Sequence, residues 1–418
     1  MNRFYLPVQP KDHQSTNTQG APLPPSSPDT VVTFQAWHEF DSSTQQWVEV
    51  DPTSTSRAPE ASEPCDPNNL VLATWNIDAF SASETARASG IVSHVLSFAT
   101  APDIILLQEV SREGLTAVLA DPRIRKSYFS TEAGFANWER VTSFATMTLL
   151  SRSRFGYGEN TPGTPTLGPV WRVKFPSRYL RDALCCDIFI PSATATTTGN
   201  VADLTSTTTP DAPTAPDAPV APAATATPAA TSDSTPPTTA SRTRLINVHL
   251  DSLAIRPCFR PRQLAITASF LRAAGRGLVA GDFNPVWPED DGLVAENGLE
   301  DAWVALRADE PGYTWGIDGK QKFPPRRLDK IAMLGLKATD IEVMDAGPVD
   351  RAATKQGTEV GNISSGGISK SALLWSDHSG LRCSFGLLKA GNQQSNPEPI
   401  RSTKGYTRFV PSVLRRLC

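Results

Sequence analysis

The chain alternates between stretches ordered by a hydrophobic pattern and stretches with none. Near-continuous apolar runs of strand length occupy residues 70–77 and 104–110, as expected of strands buried on both faces. Shorter runs at 144–150, 183–190, 244–250, 277–280, 327–334 and 380–385 predict further strands. Ile91, Val92, Val95 and Leu96 recur at helical spacing, and helices are also predicted at 113–120, 262–274 and 299–307. Many strands with a few interspersed helices predict an α+β sandwich, with helices on the outer faces of paired sheets.

Outside these segments the pattern lapses. Residues 1–30 are polar, rich in Pro, Gln, Ser and Thr, and read as a disordered tail. Residues 31–66 carry Phe34, Trp37, Phe40 and Trp47 around a polar turn, which predicts an aromatic hairpin or lid followed by a polar linker. Residues 67–388 then form one domain, and 389–418 a C-terminal tail. Residues 191–242 are dominated by Thr, Ala, Pro, Ser and Asp and hold no aromatic residue. Such a segment cannot bury enough apolar area to offset its ordering entropy. It separates two strands of one domain, so it is expected to be a disordered insertion rather than a linker. A long loop is tolerated there because closure entropy grows only logarithmically with length.

Composition narrows the function. With 418 residues, 39% of them hydrophobic, the chain can bury a large core. A formal net charge of -4 argues against broad, sequence-independent binding of duplex nucleic acid, but not against a strand end held by a local basic group. The six cysteines are scattered without Cys-x-x-Cys spacing, so neither a zinc site nor a disulfide framework is indicated. Cys185 and Cys186 read as core thiols, which suits a reducing compartment. No apolar stretch has the length of a signal peptide or a membrane span. The expectation is an intracellular, non-secreted protein away from membranes.

Candidate chemistry gathers where apolar runs stop. Gly281-Asp282-Phe283-Asn284 closes one run, and strand alternation would point Asp282 and Asn284 the same way. By itself this is as compatible with turn chemistry as with a site. Trp75-Asn76, Gln108-Glu109, His249-Leu250-Asp251-Ser252 and Asp377-His378 terminate other runs. Strand ends that pool Asn, Glu, His and Asp point to a single site above a sheet. Hard oxygens plus imidazole suit Mg²⁺, with Mn²⁺ as a substitute, and phosphate chemistry better than zinc or iron.

The order and wording of Thr74-Trp75-Asn76, Leu107-Gln108-Glu109, Gly281-Asp282-Phe283-Asn284 and Ser376-Asp377-His378 resemble the endonuclease/exonuclease/phosphatase superfamily. The resemblance runs from about Leu70 to Phe385 with the insertion set aside. It implies a four-layer αββα sandwich and metal-dependent phosphoester hydrolysis. Within the superfamily, Ala73-Thr74-Trp75-Asn76-Ile77-Asp78, His249-Leu250-Asp251-Ser252, Tyr313-Thr314-Trp315 and Arg327-Leu328-Asp329-Lys330-Ile331 are most similar to the tyrosyl-DNA phosphodiesterase 2 branch. Two departures stand out. Pro285-Val286 follows Asn284 where that branch has an arginine, and Ser143-Phe144 stands where it has Tyr-Phe.

The resemblance and the chemistry imply one set of roles. Glu109 holds the divalent cation with Asn76 nearby. Asp282 orients or deprotonates the attacking water, and Asn284 positions it. His378 and His249 contact the phosphoryl oxygens, with Asp377 fixing the His378 ring. Asp329 is left open between orienting Asn284 and pairing with Arg326 or Arg327. Trp315 is left open between stacking on substrate and core packing. Arg262, with Arg256, Arg260, Arg326, Arg327 and Lys330, is left open between a groove for phosphates and a solvated face. The expected substrate is a nucleic acid end, single-stranded or short DNA, and the expected location nuclear. The protein is expected to be a monomer. The alternatives are the same chemistry on RNA, an abasic site or an inositol or lipid phosphate, and a catalytically dead scaffold.

Overall fold

The computed structural model describes residues 21–51, 69–135, 138, 143–158, 164–191, 240–349 and 373–386. Residues 192–239 of the insertion expected at 191–242, most of the polar linker, the first 20 residues and the C-terminal tail fall outside them, while Pro191 and residues 240–242 belong to strands. In chain order the strands are β1 (Val31–Gln35), β2 (His38–Asp41), β3 (Gln46–Glu49), β4 (Asn69–Asn76), β5 (Ile104–Ser111), β6 (Tyr128–Ser130), β7 (Phe144–Ser151) and β8 (Thr166–Lys174). They continue with β9 (Asp182–Pro191), β10 (Ala240–His249), β11 (Gly277–Asp282), β12 (Glu300–Asp301), β13 (Asp329–Leu334), β14 (Lys337–Met344) and β15 (Gly380–Gly386). The helices are α1 (Glu84–Val95), α2 (Arg112–Ala120), α3 (Pro122–Ser127), α4 (Arg260–Ala274), α5 (Leu293–Glu296) and α6 (Ala302–Arg307).

The strands form two mixed sheets. One has the order β1-β8-β9-β10-β11-β13-β12, the other β14-β15-β4-β5-β7-β6-β2-β3. Three apolar clusters separate four layers. Leu70, Leu72, Ile104 and Leu106 of one sheet meet Leu184, Cys186, Leu245 and Leu278 of the other in the inter-sheet core. Ala73, Trp75, Ile105 and Leu107 face outward against Ile91, Val95, Leu115 and Ile124 of α1, α2 and α3. Trp171, Cys185, Ile246, Val248 and Val279 face the other way against Leu264, Leu271 and Leu293 of α4 and α5. Neighbouring residues divide between the two faces, which is why the parent strands read as continuous apolar runs. The adjacent thiols Cys185 and Cys186 therefore sit in different clusters.

Helix ends follow local chemistry. Ser111 accepts from the Gly114 amide at the start of α2, Asp121 accepts from Arg123 and Ile124 at the start of α3, and Gly275, left-handed at φ 78°, closes α4.

Four strands, β6, β8, β12 and β14, lay outside the hydrophobic reading, β12 at the start of the helix predicted over 299–307. β8 contains Gly168-Pro169, which punctuates the sequence as a turn; the structure absorbs the pair in a register shift between Leu167 and Val170. β14 carries a similar irregularity between Ala338 and Asp340, which breaks its alternation. Residues 21–30, read as part of a tail, include Pro22, whose carbonyl accepts from buried Arg244. In the 31–50 segment, β1 pairs with β8 in one sheet, while β2 and β3 form a hairpin at the edge of the other. Pro191 and Ala240, the residues bounding the insertion, are register partners in adjacent antiparallel strands. No helix among the described residues is long and apolar enough to cross a membrane.

Candidate active site

The inner faces of three strands change character toward one end of the sandwich. Along β4 the inward side chains run Leu70, Leu72, Thr74, Asn76; along β10 they run Leu245, Asn247, His249; along β11, Leu278, Ala280, Asp282. Apolar packing thus gives way to polar groups at the strands' C-terminal ends. Register carries the alignment across each sheet: Asn76 lies opposite Gln108, His249 opposite Asp282, and Asp282 opposite Asp329.

Contacts between the sheets close the cluster. The Asn76 amide donates to Asp282 Oδ2 at 3.0 Å, and its Oδ1 accepts from the Asp78 amide. His249 Nε2 lies 3.5 Å from Asp282 Oδ2 and 3.6 Å from Glu109 Oε1. His378 Nε2 is 3.9 Å from the same Asp282 oxygen.

Glu109 reaches this group only because its strand is irregular. Strict alternation would put it on the outer face with Leu107. A bulge between Leu107 and Val110 gives it φ 52° and turns its carboxylate inward, where Oε2 accepts from the Ala79 amide. Asn284, by contrast, lies beyond its strand. β11 ends at Asp282, and Asn284, at φ 47°, donates its backbone N–H to Asp282 Oδ1 at 2.9 Å. Its amide Nδ2 donates to the Leu250 carbonyl. The two side chains are brought together by an Asx-type turn rather than by strand periodicity. Phe283 between them is buried in the α4/α5 cluster, away from the site.

The histidines have opposite protonation preferences. Burial would lower the His378 pKa, but the Asp329 and Asp282 carboxylates outweigh it and hold the ring well above its usual value. Burial, with Arg181 and His378 nearby, pushes His249 well below it. Burial, reinforced by Asp329 and opposed by His378, lifts Asp282 to about 7. Burial also raises Glu109.

The remaining sequence candidates separate. Asp329 enters the site: its Oδ2 is 2.8 Å from His378 Nδ1. It therefore holds the ring, the role expected of Asp377. Asp377 is exposed and accepts instead from the Trp315 indole at 3.0 Å. Trp315 is half-buried at the rim, and its backbone bridges His378 and Arg326. Arg262 lies on the surface, paired with Asp29. Arg256 pairs with Glu289, Arg260 with Asp290 and Arg327 with Asp301, while Lys330 is buried near Asp301. The cluster left open between a phosphate groove and a solvated face is thus largely a set of ion pairs.

Two features escaped sequence reasoning. Arg181, before β9, stacks over Phe144 at 4.7 Å and Tyr179 at 5.6 Å, and its charge is felt at His249. It lines a cavity of about 400 Å³ that opens beside His249. Beneath the site, Gln108 Nε2 donates to Asn247 Oδ1 at 2.8 Å and Thr74 Oγ1 at 3.0 Å, and Asn247 Nδ2 donates to the Leu107 and Met147 carbonyls. This fully buried bridge joins the sheets directly below Glu109 and His249.

The donor set fits a hard divalent cation. Glu109 offers a carboxylate and Asn76 an amide oxygen beside it. Among the described residues no group of three His, Cys, Asp or Glu side chains could hold a metal ion. Mg²⁺ does not need one, since it takes one or two carboxylates and completes its shell with water and substrate phosphate.

Residues 73–388 match the family model described as Endonuclease/Exonuclease/phosphatase family. No curated protein matches the sequence. Similar solved structures include D. rerio TDP2 complexed with single strand DNA product, at 17% identity, covering 76% of this chain and 98% of that one with a TM-score of 0.48. TDP2 from C. elegans is 18% identical, covering 76% of this chain and 75% of that one, with a TM-score of 0.46. An endonuclease/exonuclease/phosphatase from Bacteroides vulgatus is 13% identical, covering 77% and 99%, with a TM-score of 0.44. On the strength of a match spanning both sheets and every strand end of the site, the chain belongs to the endonuclease/exonuclease/phosphatase family.

Proposed function

We propose that the protein is a divalent-cation-dependent phosphodiesterase acting at a nucleic acid strand end, in the manner of a tyrosyl-DNA phosphodiesterase 2-like DNA repair enzyme. The observation that carries this reading is the meeting of Asn76, Glu109, His249, Asp282 and the Asp329–His378 pair at one end of the inter-sheet space. Family membership supplies the reaction class, phosphoester hydrolysis.

Glu109 and Asn76 would hold the cation, which, when bound, supplies Lewis-acid polarisation of a phosphoryl oxygen. Asp282, held by Asn76 and by the Asn284 amide, orients the attacking water and takes its proton. The cationic His378, kept protonated by Asp329, donates to a non-bridging phosphoryl oxygen and offsets charge developing there. His249, neutral at physiological pH, faces the same oxygens. Arg181 supplies positive charge on the side of the cavity, where the sequence lacks an arginine after Asn284. Arg181, Phe144 and Tyr179 together offer the cation and ring surfaces that suit a single strand better than a duplex.

The test is hydrolysis of thymidine p-nitrophenyl phosphate by purified protein with Mg²⁺, followed by a panel of 5′-phosphotyrosyl DNA, abasic duplex, plain single strand, poly(A) and inositol phosphates. Turnover that disappears with chelator and with His378→Ala is expected, with a strand end preferred in the panel. Full turnover by His378→Ala, or preference for an inositol phosphate, overturns the reading.

A further inference from the structure

The cavity beside His249 is not built by the family-matched region alone. It lies where the two sheets part at the active-site end, and its floor is polar: Arg172 of β8 donates to Glu132 at 2.7 Å, to Asp182 at 3.1 Å and to the Thr146 carbonyl at 2.8 Å. The wall farthest along the sheet from β10 is β1, whose Thr33 lines the cavity. Thr33 is the register partner of Arg172, and directly opposed residues of an antiparallel pair share a face.

β1 precedes residue 73, where the family match begins, yet, although it is an edge strand with no fully buried residue, it is tied to the rest of the fold by several contacts. Val32 and Phe34 point outward into the α4 cluster, with Phe34 against Trp171 at 5.7 Å. Gln35, on the inner face with Thr33, donates to the Thr131 carbonyl at 2.7 Å and to Glu132 at 3.2 Å. Trp37 donates its indole N–H to the Gly168 carbonyl at 2.9 Å. These bonds tie β1 to both sheets, and they tie it to Glu132, which itself fixes Arg172.

We infer that this N-terminal segment is a specificity element: β1, through Thr33, closes the substrate cavity and limits the nucleotide that flanks the scissile phosphate. The inference rests on the phosphodiesterase reading for the position of that phosphate, at His249 and Asp282. A nucleotide extending from there passes Phe144 and Arg181 and ends against Thr33, Arg172 and Lys174. Arg172, Lys174 and Arg181 line this path, with Arg172 held in place by Glu132 and Asp182, and cationic side chains on such a path suit a phosphate-bearing chain. The closed end sets how much strand can be seated between the sheets.

The experiment is fluorescence anisotropy of an end-labelled short single-stranded oligodeoxynucleotide with the full chain carrying Asp282→Asn to prevent turnover. Adding Thr33→Trp, which fills the cavity end, or Thr33→Glu, which adds an anion beside Arg172, should each weaken binding by about tenfold or more. Thr33→Ser should bind as the parent does. Thr33 is exposed at the sheet edge, so melting temperatures should match and separate a binding defect from misfolding. Unchanged affinity in both the Trp and Glu variants overturns the inference, as does a parent chain that does not bind the strand. Turnover of thymidine p-nitrophenyl phosphate is read separately on the wild-type chain. Its absence there would count against the phosphodiesterase reading while the anisotropy still decides the role of β1.

Discussion

Asp329 Oδ2 lies 2.8 Å from His378 Nδ1, a bond made across 49 residues of sequence at the point where β13 begins and β15 is about to. It leaves His378 Nε2 facing Asp282 at 3.9 Å. A buried imidazole would ordinarily lose its proton, and this carboxylate is the main reason that it does not.

The pH dependence follows from that pair. Because the folded His378 pKa is raised, the stabilisation from pairing is complete below the unfolded value, about 6.5, and is lost as pH rises through the folded value. The alkaline limb of the pH–rate profile is therefore expected to lie well above 6.5. Asp329→Asn should move that limb to lower pH, and Asp377→Asn, whose carboxylate adds the smallest of the raising contributions, should move it less. A profile that responds to Asp377 and not to Asp329 would reverse the assignment.

Asp282 sits in an environment that disfavours its charge, with burial lifting its pKa to about 7. A carboxyl whose folded pKa is raised above its unfolded value costs stability once pH exceeds the unfolded value, near 4. Asp282→Asn should lower hydrolysis by about 10²–10⁴-fold, with a melting temperature at pH 8 equal to or above that of wild type. A marked loss of melting temperature would show that Asp282 serves the fold more than the reaction.

The Gln108–Asn247 bridge gives a third expectation. Gln108→Leu strands a buried amide oxygen on Asn247, a defect worth about 1–3 kcal/mol in urea unfolding. Gly281 shows how tightly the bridge is enclosed: a Cβ there would meet Gln108 Nε2 at 3.1 Å and the Val248 carbonyl at 2.0 Å. Because Gln108 immediately precedes Glu109, the concentration of Mg²⁺ giving half-maximal rate should also rise. Unfolding and metal dependence that both match wild type would remove the bridge from the account.

The insertion should be dispensable to the fold. Pro191 and Ala240 are opposed across an antiparallel pair, so a tight turn can join the strands directly. Replacing residues 192–239 with Asn-Gly is expected to leave melting temperature and small-ester turnover near wild-type values. A large drop in either would assign the segment a structural or catalytic part.

The layers of this molecule were legible from sequence because burial on both faces leaves a long apolar run, and the site was legible because each run stops at a polar residue. Asn76, Asp282 and His249 follow from that rule, whereas His378 stands two residues before β15 rather than at the close of a run. The rule misses Glu109, since alternation assigns it to the outer face and only a bulge in β5 turns it inward. It also misjudges Asn284, which reaches Asp282 through a left-handed turn beyond the strand end. β8 escaped because Gly168-Pro169 punctuates it, and Arg181 because nothing local marks a loop arginine as facing a site.

The sequence by itself determined the long buried strands, their two apolar faces and the residue types pooled near their ends, because these depend on periodicity and on where each run breaks. Only the tertiary structure decided which carboxylate serves which histidine. Asp377 is the neighbour of His378 in the chain, yet it lies in a bend and turns its carboxylate outward to the Trp315 indole. Asp329 reaches His378 from another strand because sheet register and the approach of β15 bring it there. Pairing of that kind is a property of two surfaces meeting, and no single segment carries it.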